Sequence, residues 1–119
     1  MTMYIQRHIE IVLRQLMEQF PALLVTGPRQ VGKSTLLQHS APEYDYVSFD
    51  DPLLLTQAKE EPNLFVLNHI ERVILDEVQY APELFSLLKL HIDKQKRNGI
   101  YLLSGSQAFE LMQNVSETL

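Results

Sequence analysis

The sequence predicts an α/β fold, a parallel sheet covered by helices on both faces. Three observations lead there. Short apolar runs alternate with stretches of helical period along the chain, the pattern of parallel strands joined by crossover helices. The apolar run Ala22-Leu23-Leu24-Val25 is followed by a loop with glycine at both ends, Gly27 and Gly32, which opens a helix. A second apolar run, Val73-Ile74-Leu75, ends on two carboxylates, Asp76 and Glu77. In open parallel sheets, ligands bind outside the carboxyl ends of the strands, so the loop and the two acids are expected at one edge.

The elements follow in order. Residues 4–19 carry Ile5, Ile9, Val12, Leu13, Leu16 and Met17 at helical spacing, with Arg7, Glu10, Arg14 and Glu18 largely on the other side. Phe20-Pro21 ends that helix and leads into strand 22–26. Helix 33–40 is short and stops at Ala41-Pro42, because the residue before proline disfavours the helical region. Tyr44 to Phe49, aromatic and β-branched, reads as the second strand. Asp51-Pro52 is a helix start, with Asp51 at the N-cap and proline at the first helical position. A further short helix begins near Pro62 and carries Leu64, Phe65 and Leu67.

The third strand, 73–75, is apolar on both faces and therefore central. Pro82 begins a helix with Leu84, Leu87, Leu88 and Ile92 on one face, and Asn98-Gly99 supplies its C-terminal cap. Ile100 to Leu103 is the fourth strand, Ser104-Gly105-Ser106-Gln107 follows it, and a last helix carries Phe109, Met112 and Val115.

Length and composition set the bounds. A chain of 119 residues forms at most one domain, here an N-terminal helix (1–20) and a core (21–119). The net charge of −5 argues against nucleic-acid binding through overall charge, and a local basic patch stays open. With no cysteine there is neither a disulfide framework nor a thiolate metal site, which is compatible with the cytoplasm. No apolar run approaches the ~18 residues of a membrane span, and the first residues lack a leader pattern, so the expectation is a cytosolic protein without membrane contact.

The loop Gly27-Pro28-Arg29-Gln30-Val31-Gly32-Lys33-Ser34 fits G-x-x-x-x-G-K-[ST] at every fixed position. Its glycines let backbone N–H groups turn inward around phosphates. Lys33 offers a point charge to the β- and γ-phosphates, the Ser34 hydroxyl is a Mg²⁺ ligand, and Thr35 continues the phosphate-facing turn. The helix that begins at Lys33 adds its unpaired N–H groups and its dipole. Asp76 is placed to hold Mg²⁺ through its water shell, and Glu77 to polarise the water that attacks the γ-phosphate. Read blandly, the two acids form a solvated helix cap.

A strand lies between the two motifs and another follows the second. This suits the ATPase branch of P-loop proteins, a three-layer sandwich with strand order 1-4-3-2 in which the fourth strand enters between the first and third. Its end then lies between Lys33 and Glu77, where Ser104, Ser106 and Gln107 could sense the γ-phosphate or hold water, or serve only as turn residues. Arg29 contacts either a phosphate, a partner or a nearby carboxylate. Asp50 and Asp51 are within reach of Mg²⁺, though a cap at Pro52 explains Asp51. Gln79 meets a neighbouring subunit or ends the turn after Glu77. The four histidines (His8, His39, His69, His91) show no i,i+4 pair and are structural or exposed.

Gly-Pro-Arg-Gln-Val-Gly-Lys-Ser at 27–34, Ser-Phe-Asp-Asp-Pro at 48–52, Leu-Asp-Glu-Val-Gln at 75–79 and Ser-Gly-Ser-Gln at 104–107 together resemble one family. It is the prokaryotic AAA-type ATPases that carry a C-terminal domain of unknown function, and the likeness runs across nearly all of the chain. It implies ATP at Lys33 and Ser34, Mg²⁺ at Asp76 and catalysis through Glu77. Ser104 stands where that family commonly has threonine. Its members are several times longer, with a fifth strand, a helical lid and the C-terminal domain. The resemblance thus implies an N-terminal fragment with the fifth strand missing, strand 22–26 at an edge, and a possible homo-oligomer. A module that holds ATP without turnover and a small-molecule phosphotransferase remain as alternatives. GTP is disfavoured, because no Asn-Lys-x-Asp motif occurs.

Overall fold

The computed structural model describes residues 2–27, 32–69 and 71–106. The expectations for Pro28, Arg29, Gln30, Val31, Gln107 and the last helix (Phe109, Met112, Val115) lie outside these residues. Within them the elements run α1 (Thr2–Gln19), β1 (Ala22–Thr26), α2 (Lys33–Ser40), β2 (Asp45–Ser48), α3 (Pro52–Glu60), α4 (Pro62–Asn68), β3 (Val73–Asp76), α5 (Phe85–Gln95) and β4 (Tyr101–Gly105). The four strands form an all-parallel sheet in the order β1-β4-β3-β2, the order expected from the two motifs.

Alternation along the strands divides the core in two. On β3 and β4, Val73, Leu75, Tyr101 and Leu103 face one side, where Phe65, Phe85 and Leu88 of α4 and α5 cover them. Ile74 and Leu102 face the other side and meet Leu13 and Met17 of α1 and Leu37 of α2. Both faces of the two central strands are buried, which is why their sequences read as continuous apolar runs. β1 is an edge of the described sheet, and its residues 22–25 are half-buried. On α1, Leu13 and Met17 are buried, while Ile9 and Val12 of the same predicted stripe are 38% exposed.

Two helix boundaries differ from the sequence reading. Pro82 opens a 3-10 turn, Pro82–Leu84, and the α-helix begins at Phe85. That helix ends at Lys96, which takes the left-handed conformation itself (φ 52°), so Asn98-Gly99 is not its cap. Gly99 (φ 70°) instead returns the chain to α1: its N–H donates to Phe20 O at 2.9 Å. A Cβ there would stand 3.0 Å from Met17 O and from the Tyr44 hydroxyl oxygen, so close approach as well as φ demands glycine. The fourth strand also runs further than 100–103. β4 starts at Tyr101 and carries Ser104 and Gly105 in its ladder with β1, so those two residues are strand rather than turn.

Candidate phosphate and metal site

Each part of the site is the end of a strand or the start of a helix. β1 leads through Gly27, whose N–H donates to Gly105 O at 3.3 Å, toward Gly32. Gly32 is the N-cap of α2 with φ 73° and ψ 32°, left-handed values that a side chain disfavours. A Cβ on Gly32 would meet nothing within 4 Å among the described residues, so the space beside it is open. Gly32 offers no side chain to cap α2, whose first turn is thus suited to an anion. Lys33 opens the helix and is buried; Ser34 is half-buried and Thr35 exposed.

β3 places Asp76 at 1% and Glu77 at 3% exposure, which overturns the alternative of a solvated cap. Asp76 is enclosed by hydroxyls. Ser34 Oγ and the Tyr46 hydroxyl each donate to its Oδ2 at 2.5 Å, and Ser104 Oγ donates to Oδ1. Burial pushes the Asp76 pKa up. The hydrogen bonds from Ser104, Ser34 and Tyr46, with the charge of Lys33, outweigh it and hold the carboxyl below its ordinary range. Burial, and then the bond to Asp76, push the Tyr46 hydroxyl above its own range.

Glu77 has φ 56° and ψ 46°, a left-handed backbone that costs a non-glycine residue roughly 1–2 kcal/mol. Such strain at a strand end points to a side chain that has to be aimed. Its Oε2 lies 3.6 Å from Lys33 Nζ, and its Oε1 accepts from Gln79 Nε2 at 2.7 Å and from Ser106 Oγ at 2.8 Å.

The structure thus brings Gly32, Lys33, Ser34, Asp76, Glu77 and Ser104 to one sheet edge. Asp51 caps α3, with Leu53 N–H donating to its Oδ1 at 2.9 Å, as the helix-start signal indicated. Two site residues were not assigned from sequence. By sequence Tyr46 is only a strand aromatic; the β2–β3 register pairs Tyr46 with Ile74, so its hydroxyl reaches Asp76 diagonally. Gln79 turns back onto Glu77. Spacing Glu-x-Gln was the available signal, and it has meaning only once the 3-10 turn Val78–Tyr80 is known. A cleft of about 320 Å³ lined by Gln57, Glu61, Phe65 and His69 lies elsewhere, on the α3–α4 side.

The residues suit Mg²⁺. It takes hard oxygen ligands and is usually held by one or two carboxylates together with substrate phosphates. Asp76 supplies a charged oxygen with the Ser34 hydroxyl beside it, at the start of α2. Among the described residues no cluster of three or more acidic or histidine side chains forms a self-sufficient metal cage.

Fold and site together define a P-loop nucleotide-binding α/β domain. A family model described as an AAA domain, AAA_14, matches residues 19–119, and the chain belongs to that family of AAA-type, ATPase-like domains. It is similar to uncharacterized proteins of Mycobacterium tuberculosis and Mycobacterium bovis. Each is 33% identical over 110 residues, which cover 90% of this chain and 24% of the relative. The chain therefore spans about a quarter of the length of these relatives. No helix among the described residues is long and apolar enough to cross a membrane.

Proposed function

We propose that this domain binds ATP with Mg²⁺ and hydrolyses it to ADP and phosphate, with Glu77 as the base. The observation that carries the reading is the buried pair Lys33–Glu77, a phosphate-binding cation and a water-polarising carboxylate 3.6 Å apart beside Asp76.

Lys33 draws the β- and γ-phosphates to the start of α2, where the open space at Gly32 and the uncapped N–H groups receive them. Ser34 and Asp76 hold Mg²⁺, which when bound neutralises charge on the β- and γ-phosphate oxygens. Ser34, Tyr46 and Ser104 keep Asp76 ionised for that task. As Lys33 turns to the phosphates, Glu77 Oε2 exchanges its cation for a proton from water. The water oxygen bonds to the γ-phosphorus while its proton passes to Glu77. The bond from that phosphorus to the β–γ bridging oxygen breaks, and its electron pair leaves with ADP. Glu77 then returns the proton to solvent. A cytoplasmic setting belongs to the same proposal.

The test is phosphate release by the wild-type chain and by Glu77→Gln, with and without small-molecule acceptors. Release by the wild type alone, independent of acceptor, supports hydrolysis. Binding without release supports a nucleotide-holding module, and acceptor-dependent loss of the γ-phosphate supports a phosphotransferase.

A further inference from the structure

Two residues beyond Glu77 the chain buries an amide. Gln79 lies in the 3-10 turn Val78–Tyr80, only 8% exposed, and its neighbours Val78 and Ala81 are fully buried. An amide in such a place needs partners at both ends. The nitrogen has them: Nε2 donates to Glu77 Oε1 at 2.7 Å and lies 3.4 Å from Ser106 Oγ. The oxygen has none among the described residues. Turning the amide over gives no relief, because its oxygen would then face a carboxylate oxygen, acceptor against acceptor.

The amide oxygen is sealed from solvent, so the nitrogen is the end that acts on the site. The carboxylate is gripped through Oε1. Oε1 takes Gln79 Nε2, Ser106 Oγ at 2.8 Å and Ser106 N–H at 3.3 Å, which leaves Oε2 turned toward Lys33.

We infer that Gln79 is a positioning residue: its nitrogen fixes the Glu77 carboxylate that activates the water. This rests on the hydrolytic reading above. When phosphate draws Lys33 away, the three donors on Oε1 keep the carboxylate aimed. A water then gives its proton to Glu77, and its oxygen bonds to phosphorus. Gln79 neither gains nor loses a proton.

A merely structural glutamine and a positioning one respond differently to leucine, which is similar in size and has no orphan acceptor. For Gln79→Leu in the full chain, we expect kcat to fall 10- to 100-fold, with KM and the dissociation constant for ATP within about twofold of wild type. The melting temperature should change little, since the unsatisfied buried oxygen that is removed offsets the donor lost from Glu77 Oε1, which keeps both Ser106 donors. Unchanged kcat, or a loss of kcat that merely follows a lower melting temperature, overturns the inference. Gln79→Ala, which leaves room for water at the lost amide, should retain more turnover than Gln79→Leu. A second readout needs no turnover. The Gln79 side-chain amide signal in an NMR spectrum, assigned by its loss in Gln79→Leu, should be protected from solvent exchange and should move in Glu77→Ala. An amide that exchanges freely and ignores Glu77 overturns the clamp. A protected, Glu77-dependent amide in a wild-type chain that releases no phosphate upholds the clamp and counts against the hydrolytic reading instead.

Discussion

Lys33 Nζ stands 3.6 Å from Glu77 Oε2, and both side chains are 4% exposed. On the proposed function, the cation offered to phosphate is thus paired with the carboxylate offered to water. Two buried charges at this distance support each other, and removing one leaves the other uncompensated at a cost of about 3–5 kcal/mol. On the same proposal, ATP binding amounts to a change of partner for Lys33.

From that exchange comes a prediction for Glu77→Gln. The amide removes the competitor for Lys33, so ATP should bind about tenfold more tightly, about 1.4 kcal/mol. The unliganded variant should melt below wild type and gain more from ATP. Hydrolysis should stop, because the amide cannot take a proton. Calorimetry and thermal melts with and without ATP check the first three points, and phosphate release checks the last. Weaker ATP binding in this variant would mean that the pair does not compete with phosphate.

Ser104 is fully buried, and its hydroxyl donates to Asp76 Oδ1. Ser104→Ala should therefore cost about 1–3 kcal/mol of stability, the penalty of a buried acceptor left short of a donor. ATP affinity should change only a few-fold, since this hydroxyl is occupied by Asp76. A variant of wild-type stability that loses ATP affinity would instead assign Ser104 to direct sensing of the nucleotide.

Tyr46→Phe removes one of two hydroxyls from Asp76 Oδ2 and leaves Ser34 in place. Stability should drop by about 0.5–1.5 kcal/mol, the net worth of one hydrogen bond. Mg²⁺-dependent ATP binding should be retained or strengthened, because Asp76 then has a freer oxygen for the ion. Titrations with ATP at varied Mg²⁺ measure this, and a clear loss of Mg²⁺ dependence would make Tyr46 part of the metal site.

The hydroxyl of Tyr101 is buried with no hydrogen-bond partner among the described residues, and burial pushes its pKa far above the ordinary tyrosine value. In the unfolded chain this group ionises near about pH 10. The folded pKa is raised, so its contribution to stability is complete below that pH and is lost as pH rises above it. Within that window the unfolded state binds fewer protons, and stability falls by about 1.4 kcal/mol per pH unit for this one group. Tyr101→Phe should remove that slope and, at neutral pH, stabilise the chain by about 1 kcal/mol, since no orphan hydroxyl remains. Denaturant melts between pH 8 and roughly pH 11 decide it. An unchanged alkaline slope would show that Tyr101 is not the group responsible.

Much of this architecture is legible from local pattern. The continuous apolar runs at 73–75 and 100–103 mark central strands because both of their faces are covered. Asp51-Pro52 marks a helix start because capping is a matter of adjacent residues. Lys33, Ser34, Asp76 and Glu77 come together because strand ends in a parallel sheet share one edge. What local pattern does not carry is register. Tyr46 reaches Asp76 only through the pairing of β2 with β3, and Gln79 meets Glu77 only because a 3-10 turn folds it back. The cap of α5 was misplaced for a related reason. Gly99 carries the strongest local stop signal, yet its left-handed backbone serves the contact with Phe20 and α1, and Lys96 bears the turn that ends the helix.

The central claim, that Lys33 at the start of α2 holds the phosphates of ATP, is tested most directly by calorimetric titration of ATP with Mg²⁺ into the wild-type chain and Lys33→Ala. The account predicts binding by the wild type and at least a tenfold loss in the variant, which gives up the charged donor closest to the β- and γ-phosphates. Equal affinity in the two proteins would contradict it.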